Sequence, residues 1–92
     1  MLTGLLYMKI ELRFFASVRE ALGVSQEIIE LPPHVTTVGD VRAFLMGRGG
    51  LWMEVLAPDK ALRMAYDHNM TEPGTLLADG GEVAFFPPVT GG

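Results

Sequence analysis

Few residues in this chain are of the types that do chemistry. His34 follows Pro32-Pro33 in a loop-forming stretch, and His68 stands beside Asp67. Neither belongs to an HExxH pattern or another metal-ligand spacing, so no metal site is expected and both read as solvent-exposed. Ser17 has no histidine near it and reads as a helix cap, not a nucleophile. The carboxylates Glu27, Glu30, Asp67, Glu72 and Asp79 are scattered and read as solvated surface. Gly47-Arg48-Gly49-Gly50 is glycine-rich, but it follows a helical pattern and lacks the Lys-Ser/Thr pair of a phosphate loop. It reads as a helix stop. Trp52 and the methionines read as core or partner surface. There is no cysteine. That excludes disulfides, thiolate zinc sites, iron–sulfur clusters and a cysteine nucleophile.

The end of the sequence is more informative. Residues 83–92 read Val-Ala-Phe-Phe-Pro-Pro-Val-Thr-Gly-Gly and carry no charged side chain. A strand pattern anchors this segment, Pro87 and Pro88 hold its base extended, and small residues form its tip. Glycines Gly91 and Gly92 lack Cβ, so the tip can thread a narrow channel. The reactive group expected there is the α-carboxylate of Gly92. A carboxylate is a poor acyl donor, because oxide is a poor leaving group, and it must first be activated, for example as an acyl-adenylate. A thin uncharged arm is what another enzyme needs in order to act on it. The plain alternative is a frayed glycine-rich end.

The elements that must carry this arm follow from the pattern. Ninety-two residues make one domain. Hydrophobic residues at 49% and charged ones at 20% mark a globular chain, not a disordered one. A net charge of −4 argues against non-specific nucleic-acid binding. No apolar run approaches the roughly 20 residues of a membrane span. Residues 1–7 are apolar but lack the basic start of a signal peptide, so the expected compartment is the cytoplasm. They read as an N-terminal extension, disordered or the product of an over-called start codon, because the clean strand pattern opens at Met8.

Residues 9–15 alternate, with Ile10, Leu12 and Phe14 on one face and Lys9, Glu11, Arg13 and Phe15 on the other. Ser17 and Glu20 fit a capping box for a short helix that Gly23 stops. Residues 26–31 form a second strand ended by Pro32-Pro33. Thr37 and Asp40 cap the main helix, whose core face carries Val38, Val41 and Leu45 with Phe44 beside them. Residues 51–56 add one more helical turn. Leu62, Met64 and Tyr66 alternate as a third strand. Residues 71–77 read as loop with a short edge strand. Asp79-Gly80-Gly81 is a turn, and residues 82–86 are the last strand. The order predicts an α+β domain over residues 8–86: a mixed sheet with one main helix packed on one face, as in a ubiquitin-like β-grasp. Residues 87–92 form the extended tail.

Two segments carry a family resemblance. Leu12-Arg13-Phe14-Phe15-Ala16-Ser17-Val18-Arg19-Glu20, and Asp79-Gly80-Gly81-Glu82-Val83-Ala84-Phe85-Phe86-Pro87-Pro88-Val89-Thr90-Gly91-Gly92, resemble the small subunit of molybdopterin synthase. The resemblance covers about residues 8–92, and its terminal motif is more specific than a bare Gly-Gly. It departs from the family at residues 1–7, and at Gly81, where the family often has an acid. The latter departure is expected to affect only a turn.

The resemblance implies a β-grasp sulfur carrier with no bound cofactor. An E1-like activating enzyme adenylates Gly92 with ATP, and a sulfur donor protein converts the adenylate to a thiocarboxylate. Gly91, Thr90, Val89, Pro88 and Pro87 form the arm that threads into the large synthase subunit. There the sulfur passes to cyclic pyranopterin monophosphate (precursor Z) in molybdenum cofactor biosynthesis. Two carriers flank a dimer of large subunits, a heterotetramer in which the carrier supplies sulfur and is not catalytic alone. The face opposite the helix should present Phe15, Ala84 and Phe86, with Arg13 beside them, as the partner interface. The resemblance likewise places Phe86 in that interface. No nucleic acid or membrane partner is expected. The alternatives are a carrier for thiamine or tungsten cofactor, a ubiquitin-like modifier joined to lysines, and a binding module with an inert tail.

Overall fold

The computed structural model describes residues 7–88. The chain runs β1 (Met8–Phe14), α1 (Ala16–Leu22), β2 (Gln26–Leu31), α2 (Val38–Met46), α3 (Leu51–Val55), β3 (Arg63–Tyr66), β4 (Asn69–Met70) and β5 (Glu82–Phe86). The strands form one sheet in the order β2-β1-β5-β3-β4. β1 and β5 are parallel neighbours, while β1–β2, β3–β4 and β3–β5 are antiparallel. The first and last strands therefore lie side by side in the middle of the sheet. This is the mixed α+β, ubiquitin-like arrangement that the element order predicts.

Alternation in β1 and β5 builds the core. Register pairs Leu12 with Val83 and Phe14 with Phe85, and these four with Ile10 are fully buried. Ile29 and Leu31 of β2 join them from one side and Met64 of β3 from the other. Val38, Val41 and Leu45 recur on one stripe of α2 and close the layer. The Phe14 ring stacks on Phe85 at 6.0 Å and meets Trp52 edge-on at 5.5 Å. Trp52 thus packs half-buried against the core, and Arg48 lies over its ring at 4.4 Å while bonding both carboxylate oxygens of Glu27. The Gly47–Gly50 segment stops α2 as expected.

The caps divide between expectation and correction. Thr37 and Asp40 form the predicted capping box, and Gly23 ends α1 in the left-handed region at φ 76°. Ser17 does not cap α1. The N-cap is Phe15, whose carbonyl accepts from the N–H groups of Val18 and Arg19 at 3.1 and 3.3 Å, so Ser17 lies inside the first turn. The cause is β5: the Phe15 N–H still bonds the Phe85 carbonyl at 3.1 Å, which holds residue 15 extended and starts the helix directly after it.

The edge strand also differs. It occupies Asn69–Met70, ahead of the 71–77 stretch expected to hold it. Asp67 and His68 both take positive φ, 48° and 71°, which is the backbone of a tight two-residue hairpin between β3 and β4. Within 71–77 only a single bridge forms, between Leu76 and Thr37.

Gly81 is more than a turn residue. A Cβ built there would land on the far end of the Tyr66 ring, whose hydroxyl accepts from the Ala78 N–H at 2.7 Å. The Gly81 backbone comes so close to Tyr66 that a side chain at this position must move the ring. An acid at this position would displace that ring.

Candidate functional site

The sheet has a second face, and its middle is apolar. Residues directly opposite each other across a pair of strands point to the same side. Register places Arg13 opposite Ala84, Ala84 opposite Ala65, and Ala65 opposite Met70, so these four share the face away from the core. Ala84 and Ala65 are only 5% and 8% exposed, although no helix among the described residues covers them. Their small side chains form the floor of a depression of about 520 Å³. Phe15 and Phe86 wall it, meeting edge to face with ring centroids 6.5 Å apart. Phe15 is 43% exposed, too much for an aromatic covered by its own loops.

Local structure explains why the two rings meet. Phe86 is the last residue of β5, on the opposite side from Phe85. Phe15 leaves β1 one residue beyond Phe14, and its backbone bond to Phe85 holds it level with the end of β5. Ala16 then takes φ 52°, a left-handed turn that sends the chain into α1 and leaves the Phe15 ring on the sheet face.

Pro87 and Pro88 line the same depression, so the tail departs from its rim. Pro87 is half-buried and Pro88 exposed. The expected arm residues Val89, Thr90, Gly91 and Gly92 lie outside the described residues.

Polar groups sit at one side. His68 Nε2 lies 3.7 Å from Glu82 Oε1, with the histidine side chain 80% exposed, and the Glu82 N–H donates to Asp67 Oδ1 at 2.9 Å. Arg13 lies on the predicted face but outside the lining. Its Nε donates to Glu11 Oε2 at 3.0 Å, which ties it one strand away from the alanine floor. The structure thus gathers Phe15, Phe86, Pro87 and Pro88 and leaves Arg13 at the margin. It adds Ala65, which sequence reasoning did not single out, and His68, which read there only as a solvent-exposed histidine. The alternation of β3 marks Ala65 as opposite in face to Met64, but only the strand order brings it beside Ala84.

Among the described residues, no three His, Asp or Glu side chains come together as a metal site, and no helix is long and apolar enough to cross a membrane. What the arrangement offers chemically is a shallow, mostly apolar depression beside the Pro87-Pro88 base.

Comparison with known proteins agrees with the fold. The molybdopterin synthase sulfur carrier subunit of Haemophilus influenzae is 38% identical over 79 residues, covering 86% of this chain and 94% of that protein. SAMP1 (small archaeal modifier protein 1) from Haloferax volcanii superposes with a TM-score of 0.75 at 26% identity, covering 91% of this chain and 99% of that one. A chain of the complex of subunits 1 and 2 of molybdopterin-converting factor from Helicobacter pylori gives 0.61 at 26% identity, covering 92% and 100%. The model of the ThiS family matches residues 12–92. The chain belongs to the ThiS family.

Proposed function

We propose that this chain is the sulfur-carrier subunit of a molybdopterin synthase, working in the cytoplasm. The observation that carries the reading is the apolar seat walled by Phe15 and Phe86, from whose rim the Pro87-Pro88 base of the tail departs. A seat at the root of the arm lets a partner hold the domain while its own channel takes the arm. The likeness to a subunit of the two-subunit converting-factor complex, and the identity to a named sulfur carrier, support a large synthase subunit as that partner.

The chemistry then falls on Gly92. Its carboxylate attacks the α-phosphate of ATP on an activating enzyme, giving the acyl-adenylate and pyrophosphate. A sulfur donor protein supplies sulfur at the oxidation level of hydrosulfide. The C–S bond forms, the C–O bond to AMP breaks, and a thiocarboxylate remains. In the synthase, the sulfur attacks a carbon of cyclic pyranopterin monophosphate, and a C–O bond at that carbon breaks as the C–S bond forms, so that an oxygen group leaves. Water then cleaves the acyl C–S bond and regenerates the carboxylate. This chain contributes the acyl carrier and the docking seat, and no catalytic side chain. Tungsten and molybdenum cofactors share this pterin route, so both fit the reading.

The test is sulfur loading. With an activating enzyme, ATP and a sulfur donor, the full chain gains a sulfur at Gly92, and a chain lacking Gly92 folds but does not load. Loading of the deleted chain would remove the assignment. A second reading, a modifier joined to lysines through the same adenylate, is favoured by the likeness to SAMP1. It predicts isopeptide-linked Gly92 on other proteins.

A further inference from the structure

β2 is an edge of the sheet, and among the described residues no strand pairs with its outer side. The Phe14 N–H bonds the Ser25 carbonyl at 3.0 Å, which fixes the phase of the β1–β2 ladder. Glu27, Ile29 and Leu31 turn their backbone groups toward β1. Gln26, Ile28 and Glu30 turn theirs outward, and among the described residues no backbone or side-chain group bonds to them there.

Apolar surface lies on both sides of this row. On the helix side, a depression of about 610 Å³ separates the strand from α2, lined by Ile29, Glu30, Ala43, Phe44, Gly47 and Arg48. On the other side, Ile28 is 67% exposed. An unpaired strand edge flanked by apolar surface is a template for an extended chain.

Charge selects the occupant. Glu27 is neutralised by Arg48, which is itself held over Trp52. Glu30 forms no ion pair among the described residues, although Lys9 lies across from it on β1. A second copy of the chain would bring the same acidic edge and the same net charge of −4 to the seam.

We propose that the β2 edge binds an extended segment of a partner protein as a sixth strand. Alternate apolar residues of the segment lie over Phe44 and beside Ile28, and a Lys or Arg stands next to Glu30. This surface is separate from the seat of Phe15 and Phe86, which lies around β5 and β3.

The probe is the peptide acetyl-Lys-Leu-Val-Ile-Val-Lys-amide, titrated to millimolar concentration into the full chain and followed by amide NMR. The expected result is saturable shifts at Gln26, Ile28, Glu30 and Phe44, with slowed hydrogen exchange of the three outward N–H groups. Replacing the flanking lysines by glutamates weakens binding by about two- to fivefold, the range of an exposed ion pair. Glu30→Lys, a surface change, reverses that preference, and circular dichroism checks that the variant is folded. Three results would overturn the proposal. The shifts lie at Phe15, Ala84 and Phe86 instead. A peptide methylated on its backbone amides binds equally well. Or the outward amides are protected without peptide in a concentration-dependent way, which would identify a second copy as the occupant.

Discussion

Phe15 and Phe86 meet edge to face across the end of the β1–β5 pair, their planes at 80°. One ring belongs to the residue that starts α1 and the other to the last residue of β5, so the contact ties the start of the fold to the root of the tail. Neither ring is needed to fill the core, which Phe14 and Phe85 fill from the other face.

That division predicts a separation of effects. Phe86→Ala should weaken binding to a molybdopterin synthase large subunit by about 2 kcal/mol or more, at least about thirtyfold. Its thermal stability should change little by comparison. Calorimetric titration beside thermal unfolding measures both. Equal affinity in the variant would remove the seat from the docking account.

Gly81 yields a coupled prediction. Gly81→Ala pushes the Tyr66 ring away from Ala78 and should cost about 1–2 kcal/mol of stability, the range of modest overpacking. In a Tyr66→Ala background the same change should cost far less, because the clashing ring is gone. Urea denaturation of the four proteins gives the cycle. Additive costs would mean that Tyr66 is not the obstacle.

Arg42 joins two segments. Its guanidinium donates to the carbonyls of Leu56 at 2.7 Å, Ala57 at 2.6 Å and Lys60 at 3.0 Å, pinning the end of α3 and the loop after it to α2. Burial pushes its pKa down, with the nearby Asp59 opposing, but an arginine stays charged at any pH of interest. Arg42→Met leaves those carbonyls short of a donor and should cost about 1–3 kcal/mol in denaturant unfolding. An unchanged midpoint would show that water replaces the clamp.

Asp40 sets an acid limb. Its carboxylate accepts from the N–H of Thr36 at 3.0 Å and of Thr37 at 3.1 Å, and these bonds hold its pKa below the usual 3.8. A carboxyl depressed in the folded state stabilises fully above its unfolded pKa, and the effect is lost as pH falls through the folded value. Asp40→Asn should therefore be less stable than the parent at neutral pH, with the gap closing below about pH 3.8. Denaturation from neutral to strongly acid pH checks this, and a gap independent of pH would contradict it.

The sequence made the core legible where period and packing coincide. Ile10, Leu12 and Phe14 alternate, Val38, Val41 and Leu45 follow helical spacing, and all are buried. It made Phe15, Phe86 and the proline base legible as the outward set of two strands. It did not show that Ala65 and Ala84 lie side by side, because that depends on strand order, which no local pattern encodes. The Ser17–Glu20 box failed for a related reason. The pattern is sound locally, but the bond from Phe15 to Phe85 fixes the start of α1 two residues earlier. Gly81 looked like a turn glycine because its neighbour Tyr66 is distant in sequence.

We propose that sulfur rides on Gly92. It is tested most directly by the intact mass of the chain after incubation with an activating enzyme, ATP and a sulfur donor, with a known carrier run alongside. The expected result is a gain equal to replacing one oxygen by sulfur, localised by fragmentation to Gly92 and absent without ATP. An unchanged mass while the control carrier loads would contradict it.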